Sequence, residues 1–310
     1  MFKIIVTVKN YEQFKEMNIS EDYLIRLNTS HLNEEDIKRF LNNYSCKNPV
    51  YLDLKGSKLR ISNDQREFEI IEDETIYINS KDIEEKTVLV EKRMIDYLET
   101  GMKILIDDGK IQLEIVSRGS NGVKGKTLKG GKIRKNKGFN ISPHPVNFKE
   151  LSERDKMIVN MSKDYEYVRY ALSFVSSSEE IKILKDLSNS YVAAKLERDL
   201  SFDKIKEISS EADELWFCRG DLGSQLGFRG LAKFYIDFSR RMKTLKIPVI
   251  MAGEVLEYMV ENPRPSRSEI CHLYDLKEKG YSGIVLSDET AFGKYPEKIF
   301  AFLKEMHLSE

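Results

Sequence analysis

Cysteine is scarce in this chain: Cys46, Cys218 and Cys271 lie far apart among 310 residues and never in C-x-x-C spacing. That argues against a disulfide framework or a thiolate zinc site and fits a reduced, cytoplasmic setting. Long apolar runs are missing too. None reaches the roughly 18 residues of a membrane span, and the opening "MFKIIVTVKNYEQ" has neither the basic start nor the small-residue cleavage site of a signal peptide. Net charge is almost nil, at -1, so no global field draws the chain to nucleic acid or to a membrane. Three of the four histidines, His144, His272 and His307, show no ligand spacing, and neither a solenoid repeat nor a low-complexity tract is found.

What the chain does have is rhythm. Short apolar runs recur at "KIIVTV" (3–8), "YLIRLN" (23–28), "PVYLDL" (49–54), "YVRYALSF" (167–174), "YVAAKLE" (191–197), "ELWFCR" (214–219), "IPVIMA" (247–252) and "GIVLSD" (283–288). Helix-period segments such as "NEEDIKRFLNNY", "SFDKIKEISSEA" and "GLAKFYIDFSRRMKTL" separate most of them. Strands alternating with helices predict parallel β/α units, and eight such strands predict an α/β fold, a closed (β/α)8 TIM barrel. The rhythm breaks after the third strand, where short strands and turns follow one another. "ILIDDGKIQLEI" there carries a D-G hairpin signal. The expected organisation is a catalytic barrel over 1–58 and 141–310 with a small all-β domain, a β-barrel lid, inserted over 59–140.

Barrel active sites gather at the carboxyl ends of the strands, and polar residues collect there: Arg26, Asn28 and Ser30; Asp53 and Lys55; Ser173; Lys195 and Glu197; Arg219 and Asp221; Ser287 and Glu289. Lys195 and Glu197 are two apart on one strand and point the same way. Glu197 and Asp221, from adjacent strands, supply the one or two carboxylates that an octahedral Mg²⁺ accepts. Lys195, Arg26 and Arg60 offer positive charge to a phosphoryl group, whose transfer depends on positioning and neutralisation. Between Ile115 and Asn140 the chain carries Arg118, Lys124, Lys126, Lys129, Lys132, Arg134, Lys135 and Lys137 with no acidic residue. That run reads as a lid facing a polyphosphate, as a solvated basic hairpin, or as a nucleic-acid patch, the last disfavoured because Phe139 is its one stacking aromatic.

Nine collinear segments, "RLNTSH", "LDLKGSKLR", "ILIDDGKIQLEI", "NKGFNIS", "ALSFVSS", "AAKLE", "CRGDLG", "ENPRPSRSE" and "LSDETAFGKYP", resemble the pyruvate kinase family across nearly the whole chain. The resemblance implies phosphoryl transfer between phosphoenolpyruvate and a nucleoside diphosphate with Mg (or Mn), in a short form without the usual carboxy-terminal regulatory domain. It implies that Lys195 faces the transferring phosphoryl group, with Arg26 and Arg60 on phosphates, and that Glu197 and Asp221 hold the metal. It further implies that Gly220 and Asp221 receive the substrate carboxylate, with Ser173 and Gly253 beside the substrate. Ser287 lies in the proton-relay vicinity, and His31, Asn28 and Lys137 meet the nucleotide, ADP or ATP or another. Asn28, Ser30 and Asp53 resemble ligands of a monovalent cation. Lys58 stands where potassium-dependent members carry glutamate, so its ammonium is expected to replace the ion and K to be unnecessary. "ENPRPSRSE" resembles a barrel-to-barrel contact, implying a homodimer.

Several positions depart from the family pattern. Gly253 and Glu254 replace threonine and glutamine, Gln225 a glutamate, Ser176 an arginine and Asp288 a glycine; the amino-terminal "TVKNYEQ" lacks the loop that touches the base. These departures keep a second reading open: a divergent Mg-enolate kinase, lyase or aldolase for another 2-oxo acid. A non-catalytic member of the family is the third.

Overall fold

The computed structural model describes residues 2–107, 109–119, 122–142 and 151–306, so His144 and His307 lie outside the described residues. All eight runs form strands: β1 (Lys3–Val8), β2 (Leu24–Asn28), β3 (Val50–Leu54), β4 (Val168–Leu172), β5 (Val192–Leu196), β6 (Glu214–Cys218), β7 (Val249–Ala252) and β8 (Gly283–Leu286). They close into a parallel barrel in the order β1-β8-β7-β6-β5-β4-β3-β2. Burial is near-continuous along the strands, as in a sheet covered on both faces.

Helices α1 (Tyr11–Met17), α2 (Glu34–Asn43), α3 (Glu153–Ser162), α4 (Ser178–Ser188), α5 (Phe202–Ser209), α6 (Arg219–Arg241), α7 (Arg267–Lys279) and α8 (Pro296–Glu305) alternate with the strands. Their starts are written locally. Asn33 and Ser152 cap α2 and α3 through side-chain oxygens, and Ser266 with Glu269 forms a capping box on α7. The α6 segment begins earlier than the "GLAKFYIDFSRRMKTL" periodicity predicts. It starts at Arg219 and is interrupted at Gly227, whose φ of 67° no helix interior adopts.

The barrel is filled rather than hollow. Ile5, Tyr51, Ala171, Ala193, Trp216, Ile250 and Val285 form one buried cluster. At the amino-terminal end of the strands, fully buried Glu214 accepts hydrogen bonds from Trp216 Nε1 at 2.7 Å, Tyr51 Oη at 3.2 Å and Tyr191 Oη at 3.3 Å, and pairs with Lys3. The guanidinium of Arg169 lies 4.4 Å from the Tyr191 ring centroid. These partners satisfy a buried carboxylate and plug the end opposite the chemistry.

Two compact units emerge: Met1–Gly56 with Phe148–Arg219 and Ala232–Glu310, and Ser57–Asn147 with Gly220–Leu231. The second unit takes in residues on both sides of the expected 59–140 insertion and the first part of α6 as well. Among the described residues its strands form a six-stranded sheet and a separate two-stranded one, with a short helix at Lys92–Ile95. The expected hairpin is present, pairing Lys103–Ile106 antiparallel with Ile111–Gly119, and Asp107 and Gly109 both have positive φ. Half of its basic run is paired within the unit. Lys126 pairs with Asp73, Lys132 with Glu67 and Arg118 with Asp96, while Lys124 lies over the Tyr77 ring. The pairing reflects strand neighbours distant in sequence and favours the solvated-hairpin reading for those four residues.

Candidate active site at the carboxyl ends of the barrel strands

Strand register assembles the centre of the first unit. Asp53 on β3 is level with Asn28 on β2 and Ala171 on β4, and Leu172 is level with Ala194, which brings Ser173 alongside Lys195 one residue further on. The Lys195 ammonium donates to both Asp53 oxygens at 3.0 Å and to Ser173 Oγ at 2.9 Å, and lies 3.1 Å from Glu197 Oε1. Ser173 Oγ donates in turn to Asp53 Oδ1 at 3.1 Å. Arg26 reaches the same carboxylate, with Nε 2.8 Å from Asp53 Oδ2, and its Nη1 donates to Thr7 Oγ1 at 2.8 Å from the paired position on β1.

The electrostatics follow from that geometry. Burial works against charge on Lys195, but the Asp53 and Glu197 carboxylates outweigh it and hold the lysine above its ordinary value. Burial likewise opposes charge on Asp53, and Lys195 with Arg26 overcomes it, holding Asp53 below its ordinary value. Two cations and two carboxylates, Lys195 and Arg26 against Asp53 and Glu197, cancel. A phosphoryl group arriving here brings negative charge that the four side chains do not neutralise by themselves. Glu197 Oε2 accepts the Phe174 N–H at 2.9 Å, which aims the carboxylate. Among the described residues no group of three or more His, Cys, Asp or Glu side chains is arranged to hold a metal. Mg²⁺ typically uses only one or two carboxylates, completing its shell with water and substrate oxygens, and Glu197 fits that donor chemistry.

A cavity of about 310 Å³ opens beside this centre, lined by Thr7, Lys9, Asn10, Arg26, Asn28, His31, Asp36, Asp288 and Phe292 among others. Three residues expected to meet phosphates or nucleotide, Arg26, Asn28 and His31, therefore share one wall system. The turn that follows β2 is pinned: Asn28 Oδ1 accepts from Ser30 N at 3.2 Å, Thr29 Oγ1 donates to Asp53 O at 2.6 Å, and Arg154 Nη2 donates to Thr29 O at 2.9 Å and also to Leu32 O.

Gly253 follows β7 with φ of 84° and Glu254 with φ of 54°. This left-handed pair turns two carbonyls toward Arg219, whose Nε donates to Gly253 O at 2.8 Å and whose Nη2 donates to Glu254 O at 2.7 Å. His272 Nε2 lies 2.9 Å from Arg219 Nη1, a structural role for that histidine. Burial first, and the Arg219 charge second, push His272 down to about 4, so it is neutral near pH 7 and accepts from the guanidinium. After β8, the Ser287 N–H donates to Glu289 Oε2 at 2.8 Å and the Leu256 N–H to Glu289 Oε1 at 3.2 Å, so Glu289 ties the β7 and β8 loops together. Burial pushes Glu289 up to about 7.

Five expected site residues, Lys58, Arg60, Lys137, Gly220 and Asp221, belong to the second unit. Within it the Lys58 ammonium lies 2.5 Å from Asp221 Oδ2, and Asn140 Nδ2 donates to Asp221 Oδ1 at 3.3 Å. Arg60 Nη1 donates to Asn136 O at 2.8 Å, and Lys137 pairs with Asp107 at 2.9 Å. Gly220 and Asp221 sit in the first turn of α6, where backbone N–H groups lack intrahelical acceptors and suit an anion such as a carboxylate.

Sequence reasoning missed Thr7, Arg154, Asp155, Asp36 and Phe292. Asp155, buried on α3, accepts the N–H groups of Lys55 at 3.1 Å and Gly56 at 3.0 Å and so holds the end of β3. The "SERD" start of α3 reads only as a cap, and nothing local to it announces a partner 99 residues away.

A family model described as pyruvate kinase, barrel domain, matches residues 3–300. A pyruvate kinase of Borreliella burgdorferi is 26% identical over 309 residues, covering 95% of this chain and 65% of that protein. One of Methanocaldococcus jannaschii is 30% identical over 294 residues, covering 91% and 63%, and one of Thermotoga maritima 27% over 324, covering 98% and 70%. The chain thus spans somewhat under two thirds of the length of the first two relatives.

Proposed function

We propose that this chain, which belongs to the pyruvate kinase family, transfers a phosphoryl group between phosphoenolpyruvate and a nucleoside diphosphate, yielding pyruvate and a nucleoside triphosphate. The observation that carries the reading is Lys195: a buried ammonium, kept charged by Asp53 and Glu197, at the carboxyl end of the barrel beside a cavity that shares Arg26. Because its proton is held tightly, Lys195 acts here by charge, steadying the oxygens of the group in transit, rather than as an acid or base. Arg26 extends that field into the cavity, and Ser173 keeps the ammonium aimed. Glu197, with Asp221 as the further carboxylate its motif assigns, would hold a divalent Mg ion that supplies the positive charge the balanced centre lacks. Arg60 is assigned to phosphates, Lys137 to the nucleotide, Ser287 to the proton relay at the enolate carbon, and Gly220 to the substrate carboxylate. Lys58 is assigned the place of a monovalent cation, so that turnover proceeds without K⁺.

Phosphorus NMR of phosphoenolpyruvate with nucleoside diphosphates and Mg²⁺ in K⁺-free buffer tests this. A nucleoside triphosphate signal is expected, reduced about 10² to 10³-fold in Lys195→Met, with circular dichroism showing that the variant folds. No signal from the wild-type chain would reject the transferase. Gly253 favours a second reading, a lyase or aldolase acting on a bulkier 2-oxo acid, since glycine itself adds no side chain at that position. Turnover of such an acid without nucleotide would distinguish it. Among the described residues no helix is long and apolar enough to cross a membrane. A cytoplasmic homodimer is part of the same proposal.

A further inference from the structure

The cavity beside the catalytic centre is chemically asymmetric. Its inner end is Arg26, only 11% exposed and bonded to Asp53, which in turn holds Lys195. Its outer rim is Phe292, 58% exposed, with the Lys9 ammonium 5.2 Å from the ring centroid, and two carboxylates, Asp36 from the first turn of α2 and Asp288 from the short helix Asp288–Ala291. Phosphates belong at the guanidinium end, which leaves an aromatic face, two acceptor-only carboxylates and one ammonium, beside the Asn10 and His31 side chains, for whatever the phosphates carry. At about 310 Å³ the space falls in the range of small-ligand sites.

We infer that this outer rim seats the nucleobase of the diphosphate and selects guanine over adenine, an inference that rests on the nucleotide reading of the site. An ionised carboxylate only accepts hydrogen bonds. Guanine turns two adjacent donors toward it, N1–H and the 2-amino group, and offers O6 to an ammonium such as Lys9. Adenine presents one amino donor beside the N1 lone pair, which faces a carboxylate without a proton between them. Sites built to pair with a ligand's donors discriminate strongly against analogues that lack them. Phe292 contributes a stacking face that any purine uses equally. Neither Asp36 nor Phe292 stands out in the sequence, and each gains this role only by lining the same cavity.

Calorimetric titration of the full chain with GDP, IDP, ADP and UDP, each with Mg²⁺, tests the inference. GDP is expected to bind about tenfold or more tightly than ADP, with IDP, which keeps N1–H but lacks the 2-amino group, between them. Asp36→Asn or Asp288→Asn should compress the GDP to ADP ratio, and Phe292→Ala should weaken all purines alike. Equal or tighter ADP binding, or a ratio unchanged in both asparagine variants, overturns the selectivity and leaves the transferase reading standing. No binding of any nucleoside diphosphate overturns both. Should a variant fail to fold, the wild-type ratio alone decides.

Discussion

Gly253 shows how one backbone angle constrains chemistry. Its φ of 84° lies where a Cβ costs about 1–2 kcal/mol, and a β-branched side chain more. Arg219 depends on that angle, because the Gly253 and Glu254 carbonyls it binds are presented by consecutive left-handed residues. Restoring the family's threonine by Gly253→Thr is therefore expected to lower stability by roughly 1–3 kcal/mol in urea titration rather than to raise activity. A variant as stable as the parent with faster turnover would show that the hydroxyl matters more than the turn. Lys195 illustrates the opposite case, a side chain whose state is decided entirely by its neighbours Asp53, Ser173 and Glu197.

Connections between elements rest on two buried carboxylates. Asp155 on α3 satisfies two backbone N–H groups just past β3 and accepts from Ser152 Oγ at 2.8 Å, so Asp155→Asn turns an amide toward donors. A loss of about 1–3 kcal/mol is expected in urea titration, with weaker phosphate binding because Gly56 is packed against Ser173, where an added Cβ would sit 2.1 Å from its carbonyl oxygen. Glu289 bears on pH. Its carboxyl titrates at about 7 in the fold against an ordinary 4.5, so between those values the folded chain keeps a proton that the unfolded chain has released. Its contribution is present in full below about pH 4.5 and is lost as pH rises through about 7, of order 3 kcal/mol in all. His272 works in the opposite sense: depressed to about 4, it contributes stability above its ordinary 6.5 and loses it as pH falls toward 4. Glu289→Gln should remove the falling component, so that stability rises between pH 5 and 7 more steeply than in the parent chain. Equal slopes for both proteins in urea titrations across that range would disprove the assignment.

The whole molecule exposes several large apolar side chains, among them Tyr258 and Tyr274 at 53% and 51%, on either side of the "ENPRPSRSE" segment in sequence. Exposed tyrosines of this kind suit a self-association surface. Sedimentation velocity is expected to show a dimer that shifts toward monomer in Tyr274→Asp, whereas a monomeric parent chain would remove the homodimer from the proposal. The two compact units divide the assigned residues between them. The barrel unit carries Lys195, Arg26, Asp53, Glu197 and the cavity, and the other carries Asp221, Lys58, Arg60 and Lys137.

Periodicity alone determined the barrel. Eight short continuous apolar runs between helical segments suit parallel strands buried on both faces, eight such units point to a closed barrel, and each run became a strand near its expected position. The polar residues ending those strands were legible for the same reason, since the fold dictates which end carries chemistry. Tertiary structure decided which of them meet. Asp53, 142 residues from Lys195, became its partner through strand register, and Asp155 found Gly56 across the insertion. Glu214 was indistinguishable from a surface acid until four side chains closed around it. Local sequence carries the φ/ψ preferences and burial period that make elements, but the partner of a buried charge is set by long-range packing, which no short stretch encodes.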